Sequence, residues 1–270
     1  MNRIDNIFVE LKSQNKQALI PFITCGDPNL DTTLATMTQM VEKGANIIEL
    51  GVPFSDPMAD GPVIQLANER ALENNTSLTD VINLVSRFRE HDTKTGIVLM
   101  GYLNPIEYMG HEIFVSRAKA AGVDGLITVD LPPEEAETFD DLLSGADIAP
   151  IYLLTPTTSN ERANKILESC KGYIYYVSLK GVTGSNQLNV QDVSEQLSRL
   201  RHLTQLPIAV GFGIRDAETA GKISEIADGV VVGSVLVNKM AELTQQPSDI
   251  IATEVAQIIQ GMRDSMDQHC

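Results

Sequence analysis

Eight short apolar, β-rich runs recur along the chain: Ala18–Thr24, Ile47–Gly51, Gly96–Met100, Gly125–Val129, Ala149–Leu153, Tyr173–Ser178, Pro207–Gly211 and Gly229–Gly233. None alternates cleanly between apolar and polar, so each reads as a strand buried on both faces, which is the mark of a parallel sheet covered by helices. The intervening stretches keep helical spacing. Leu34, Met37 and Met40 or Val41 mark one face of Leu30–Lys43, and Ser77 with Asp80 caps the apolar series from Leu78 to Phe88. Asn160–Cys170, Asp192–Leu203 and Arg215–Ile226 read alike, and Pro62–Glu73 is an extra helix after the second strand. Ile4–Leu11 is expected to lie over one barrel end, and the amphipathic Asp249–Arg263 to pack outside as the last helix. Eight strand–helix units predict an α/β fold, a single (β/α)₈ barrel with extra helices. With no linker or low-complexity block in 270 residues, residues 1–270 are expected to form one domain. An open doubly wound sheet would carry a glycine fingerprint after its first strand; the turn here is Thr24-Cys25-Gly26-Asp27-Pro28.

Composition removes several function classes. Asp plus Glu is 36 against 20 Lys plus Arg, a formal charge of -16, which supplies no basic groove for nucleic acid. An anionic substrate must then be held locally, by backbone amides and helix N-termini. No apolar run approaches the roughly twenty residues of a membrane span. The first eleven residues lack a signal-like core, and a cytoplasmic location is expected. Cys25, Cys170 and Cys270 form no close pair, arguing against a disulfide framework or a cysteine zinc site. His91, His111, His202 and His269 lie away from strand ends and read as surface or cap residues, so proton transfer must fall to other groups.

The active face of such a barrel is at the C-terminal strand ends. There, Glu49 stands in the apolar run Ile47-Ile48-Glu49-Leu50-Gly51, a costly place for an acid without a role or a partner. With Leu50 facing the helices, Glu49 faces the barrel mouth, and partial burial would raise its pKa towards neutrality. The bland alternative is a structural pair with a basic residue. The stiff loop Pro53–Pro62 brings two more acids, Asp56 and Asp60. Asp60 also suits a helix cap before Gly61-Pro62, and spacing alone does not say which aspartate lies across from Glu49. Glycine turns at Gly181-Val182-Thr183-Gly184, Gly211-Phe212-Gly213 and Gly233-Ser234 follow the last three strands, the last two where barrels build phosphate sites. No strand carries a lysine for a Schiff base, Lys180 being in a polar glycine-rich loop, and no His/Asp cluster suits a catalytic metal. What remains is acid–base chemistry by carboxylates, with no metal, on a phosphorylated small molecule.

Six stretches give the chain a resemblance over essentially its whole length to the tryptophan synthase alpha subunit family: residues 21–28, Glu49–Pro62, Tyr102-Leu103-Asn104-Pro105, Asp130-Leu131-Pro132, 181–184 and Gly211-Phe212-Gly213-Ile214. The second is the most specific. The resemblance implies retro-aldol cleavage of 1-C-(indol-3-yl)glycerol 3-phosphate to indole and D-glyceraldehyde 3-phosphate. It implies that Glu49 protonates indole C3 and takes the hydroxyl proton, and that Asp60 hydrogen-bonds the indole N–H. Phe22, Met100 and Val129 would line the indole pocket, with Tyr175 near Glu49. Thr183 would close over the site and contact Asp60, while Gly184, Gly213, Gly233 and Ser234 would hold the phosphate, with Gly211 also among the substrate-binding residues. Pro53 and Asp56 would face a beta subunit in an αββα complex, and that partner would carry the pyridoxal phosphate, leaving no cofactor in this chain. Leu179 departs from the arginine that many members carry, which concerns the loop's contacts and not the reaction. The rivals lack their chemistry here: a metal-using epimerase needs strand-end histidines, an indole-forming cyclase needs a barrel lysine, and a scaffold gains nothing from a desolvated acid.

Overall fold

The computed structural model describes residues 2–178, 190–211 and 213–268. Its strands are β1 (Ala18–Thr24), β2 (Ile47–Gly51), β3 (Gly96–Gly101), β4 (Gly125–Thr128), β5 (Ala149–Pro150), β6 (Tyr152–Leu154), β7 (Ile174–Val177), β8 (Ile208–Gly211) and β9 (Gly229–Val232). All pair in parallel, in the order β5-β4-β3-β2-β1-β9-β8-β7-β6. The first and last members of that order are two pieces of one strand, interrupted at Ile151, whose N–H bonds Leu126 O at 2.9 Å. The ring therefore closes on itself as a barrel of eight strands. The single run Ala149–Leu153 appears split because its first part pairs with β4 and its second with β7.

The helices are α1 (Arg3–Ser13), α2 (Leu30–Glu42), α3 (Pro62–Glu73), α4 (Leu78–Arg89), α5 (Leu103–Met109), α6 (His111–Ala121), α7 (Pro133–Gly145), α8 (Asn160–Ser169), α9 (Val190–Arg201), α10 (Ala217–Ser224), α11 (Ser234–Glu242) and α12 (Ser248–Gln268). The α4 N-terminus has the capping box that Ser77 and Asp80 predict: Ser77 N–H donates to Asp80 Oδ2 at 2.9 Å and Asp80 N–H returns to Ser77 Oγ at 3.4 Å.

Strand alternation sorts the core into two layers. Leu19, Ile23, Ile48 and Leu50 point outward and pack with the helices, whereas Ala18, Ile20, Ile47, Val98, Ile127, Ile151 and Tyr173 fill the lumen. Ile4, Phe8 and Leu11, one face of α1 at helical spacing, close the lumen from below. Asn2 fastens that plug: its side chain caps Ile4 N–H at 2.9 Å and donates to the carbonyls of Asp124 and Asp147 at 2.6 and 2.8 Å. Gly125 must be small here, because a Cβ would stand 3.0 Å from Ile4 Cδ1 and 2.8 Å from Ile151 Cδ1. With the bottom sealed, the open end is the one carrying the C-terminal strand ends.

Candidate active site

A cavity of about 1010 Å³ opens at that end, lined among others by Phe22, Asp60, Met100, Tyr175, Gly213, Gly233 and Ser234. These come from β1, the loop after β2, and the ends of β3, β7, β8 and β9, so the barrel brings together residues that the chain separates widely. Val129, just beyond β4, is half-buried and outside this lining. Gly211 also lies beneath the surface of the cavity: a Cβ there would stand 2.2 Å from Tyr175 Oη, so its lack of a side chain makes room for the tyrosine. Lys180, Thr183, Gly184, Leu179 and Phe212 lie outside the described residues.

Glu49 is fully buried (0% exposed), which corrects the expectation of partial burial. It sits in register with Phe22 on β1 and Val98 on β3, at the boundary between the lumen packing and the cavity floor. The reason it stays down is Tyr173, whose hydroxyl donates to Glu49 Oε1 at 2.6 Å. Tyr173 and Tyr175 are two apart and so face the same side of their strand. Desolvation pushes the Glu49 carboxyl from its ordinary 4.5 up to about 8, against the smaller opposing effect of the Tyr173 hydrogen bond. At neutral pH the group is therefore mostly a neutral acid. Oε1 accepts from Tyr173, and Oε2 has no hydrogen-bond partner among the described residues.

Asp60 does not cap α3. Gly61 is the N-cap residue, without a side-chain cap, and Pro62 follows at the first position. The carboxylate instead faces the Tyr102 hydroxyl and Asn68 on α3, both of which favour its ionised form. Burial raises the Asp60 pKa and those two groups draw it back down. Tyr102 also accepts the Ala59 N–H at 3.0 Å, and its ring stacks on Phe54 with centroids 5.3 Å apart. The loop after β2 is thus braced from both sides of Asp60. A further brace is Arg70, which grips buried Asp27 with two contacts of 2.7 Å and fixes α3 to the loop after β1. Tyr175 links the two acids: burial, then the charge of Glu49 and that of Asp60, all raise its pKa. Asp56, by contrast, is exposed with its carboxylate accepting from Ser55 Oγ at 2.6 Å, while Pro53 is buried and shapes the loop from below.

The sequence alone does not mark Asn68, Tyr102 or Tyr173 as site residues. A signal for Asn68 was present: it is an amide between Ala67 and Ala71 on the buried face of α3, and it is 4% exposed. At the phosphate end, Gly213 has φ +82°, a conformation open to glycine, and Gly233 leaves α11 without a side-chain cap; Leu236 N–H is taken by Gly233 O at 2.9 Å, which leaves the Ser234 and Val235 amides to face an anion. Among the described residues no group of three or more His, Cys, Asp or Glu side chains is placed to hold a metal.

The family model described as tryptophan synthase alpha chain matches residues 8–267. The chain belongs to that family. The tryptophan synthase alpha chain of Thioalkalivibrio sulfidiphilus is 53% identical over 267 residues, covering 99% of this chain and 100% of the relative. That of Alkalilimnicola ehrlichii is 50% identical, covering 99% and 97%. The crystal structure of the alpha subunit from Legionella pneumophila is 43% identical and superposes with a TM-score of 0.92 over 99% of both chains. A tryptophan synthase alpha chain is a carbon–carbon lyase of tryptophan biosynthesis, and this chain shares its reaction, the cleavage of 1-C-(indol-3-yl)glycerol 3-phosphate to indole and D-glyceraldehyde 3-phosphate. Membership also brings a beta-subunit partner. Among the described residues no helix is long and apolar enough to cross a membrane.

Proposed function

We propose that Glu49 carries both proton transfers of the cleavage and that Asp60 stabilises the charge that develops between them. The observation that carries this reading is a fully buried acid, its pKa pushed up to about 8 so that it keeps its proton at neutrality, whose Oε1 is held by Tyr173 and whose Oε2 has no hydrogen-bond partner among the described residues. Rotation of Glu49 away from Tyr173 would deliver that proton to indole C3. Protonation makes the ring an indoleninium, an electron sink for the neighbouring C–C bond. As that bond breaks, its electron pair restores the indole, and the hydroxyl proton on the departing carbon returns to Glu49 as the aldehyde forms. Glu49 begins and ends the cycle protonated, in keeping with a pKa about 8. Asp60 beside the indole N–H gains most when the ring is cationic, which is selective stabilisation of the transition state. Phe22 and Met100, on the cavity lining, suit the apolar ring, and half-buried Val129, just beyond β4, is assigned to it as well. The test is indole release by the purified chain at saturating beta partner; no release would remove the assignment.

The turns at Gly213 and Ser234, with Gly233 and with Gly211 behind them, are assigned to the phosphate. Thr183 and Gly184 would add to this grip. Aspartate in place of Gly213 or Ser234 sets a negative charge where amides face the anion. Each variant is expected to bind the phosphorylated substrate analogue much more weakly while holding a non-phosphorylated indole-glycerol analogue nearly as well. Isothermal titration with both ligands checks this, and equal losses would take the phosphate away from these turns.

For the partner, we infer a linear αββα assembly in which the beta subunit carries the pyridoxal phosphate and receives indole. Met58 (84% exposed), whose N–H bonds Asp56 O at 2.8 Å, offers large apolar surface beside exposed Asp56, which supports docking on this face. The loop of residues 53–60 joins that surface to Asp60, so partner binding is expected to raise the cleavage rate. Asp56→Ala should weaken this activation more than it lowers the unaided rate. Cleavage measured across a titration of beta subunit decides it: a wild-type rate flat through saturation, with complex formation seen by sedimentation, would exclude the coupling.

A further inference from the structure

The phosphate end of the cavity holds an arginine that neither the glycine turns nor the two acids account for. Arg215 lines the same cavity as Gly213, Gly233 and Ser234. Its backbone is fixed on both sides. Ile214 is buried in the outer core layer, and Asp216 is the N-cap of α10, its Oδ1 taken by Thr219 N–H at 2.8 Å. Arg215 therefore sits at a defined place on the rim with its side chain exposed. Each of the other arginines in the chain donates to a carboxylate, a carbonyl or a hydroxyl. Arg215 alone makes no hydrogen bond or ion pair among the described residues. Its charge is felt by adjacent Asp216, whose carboxylate is committed to the helix cap, so in a chain with 36 Asp plus Glu against 20 Lys plus Arg its guanidinium still lacks a direct carboxylate pairing among the described residues. The other cation lining the cavity, Lys239, is engaged by Glu254 at 3.3 Å and Glu242 at 3.9 Å.

We propose that Arg215 is a side-chain ligand of the substrate's phosphoryl group, adding direct charge pairing to the amides of the turns. The inference rests on the phosphate reading of Gly213, Gly233 and Ser234. A planar guanidinium can make two parallel donations to phosphate oxygens, and a cation at the mouth draws a dianion towards a protein whose overall field repels it. Arg215 is thus a determinant of affinity and of selection for phosphorylated substrate, with no part in proton transfer.

The experiment uses the chain saturated with its beta partner and compares wild type, Arg215→Gln, Arg215→Lys and Ser234→Asp. Arg215→Gln is expected to raise KM for the phosphorylated substrate about tenfold, as loss of a charged hydrogen bond at a partly screened site does, with kcat changed less than about twofold. Inorganic phosphate should compete more weakly, the non-phosphorylated analogue should bind as before, and Arg215→Lys should recover part of the loss. High salt should narrow the gap between Arg215→Gln and wild type by screening the pair. An unchanged KM, or an equal loss for the analogue without phosphate, overturns the proposal. If Ser234→Asp still discriminates between the ligands while Arg215→Gln does not, Arg215 alone is misassigned. If neither does, the phosphate turns are misassigned and this inference falls with them.

Discussion

Glu49→Gln is expected to abolish nearly all cleavage while leaving substrate binding largely intact and making the protein more stable at neutral pH. Glutamine keeps the shape and can still accept from Tyr173, but it has no acidic proton to give to indole C3. General acid–base catalysis contributes roughly 10²–10⁴-fold, so kcat should fall by that order with little rise in KM. Steady-state kinetics that left more than about a tenth of kcat would sink the proton-shuttle role. The stability change follows from the same burial. The folded pKa of about 8 lies above the ordinary 4.5, so the favourable contribution of the neutral acid is complete below 4.5 and is lost as pH rises through 8. Glutamine cannot ionise, so the Tm advantage of the variant should vanish at acidic pH, grow across that window and level off above it. Catalysis should show the mirror of this: wild-type kcat/KM should hold up to neutrality and bend down near pH 8, where the free enzyme loses its acid form. Tyr173→Phe removes the hydroxyl that favours the ionised carboxylate, so that bend should move to higher pH. A bend that stays in place would mean that another group sets it.

The architecture was legible because it is written in a periodic signal. The runs at Ala18–Thr24 and Ile47–Gly51 coincide with strands, and Pro62–Glu73 coincides with α3. Apolar continuity, a proline at the first helical position and a capping box are local features that tertiary packing did not override. Differences arise where hydrogen-bond pairing decides. The fifth run is one strand in sequence but two in pairing, because neighbours on opposite sides claim successive parts of it. The last helix runs on to Gln268 because Met262 and Met266 continue the buried stripe of Ile251, Val255 and Ile259 beyond Arg263.

The site was legible in its acids and less so in what holds them. Glu49 stood out because a carboxylate in an apolar strand is expensive, but strand periodicity says only which side it faces. How deep it lies depends on Tyr173, 124 positions along the chain, and no local pattern encodes a hydrogen bond of that separation. The choice between Asp56 and Asp60 was open for the same reason. Both occupy one short loop, and what separates them is burial and the influence of Tyr102 from the third strand's end and Asn68 from α3. Arg215 is legible only as a charge until the barrel closes and sets it on the lining of one cavity with Gly213, Gly233 and Ser234.

The contrast between those two aspartates makes the second large prediction. Asp60→Asn retains a group of the same size and its capacity to accept hydrogen bonds, but removes the negative charge facing a ring that becomes cationic. Loss of one preorganised electrostatic partner commonly costs about 10²–10³ in kcat, and a loss of that order is expected here. Asp56→Asn changes an exposed side chain whose carboxylate accepts from neighbouring Ser55 Oγ, and the unaided rate of the chain should remain close to wild type. Asn68→Ala should fall between them: it leaves the Asp60 charge in place but withdraws a donor that holds and stabilises it. Since that donor favours the ionised carboxylate, its removal raises the Asp60 pKa, and the activity that remains should decline at a higher pH on the acidic side than in wild type. The measurement is kcat for indole release against pH for the isolated chain, with circular dichroism melts to show that all three variants are folded. Equal losses for Asp56→Asn and Asp60→Asn would mean that the loop acts as a unit and that proximity to Tyr102 and Asn68 does not mark the catalytic acid. A large loss for Asp60→Asn alone, with the acid limb displaced in Asn68→Ala, is the pattern that a charge poised against the indole ring requires.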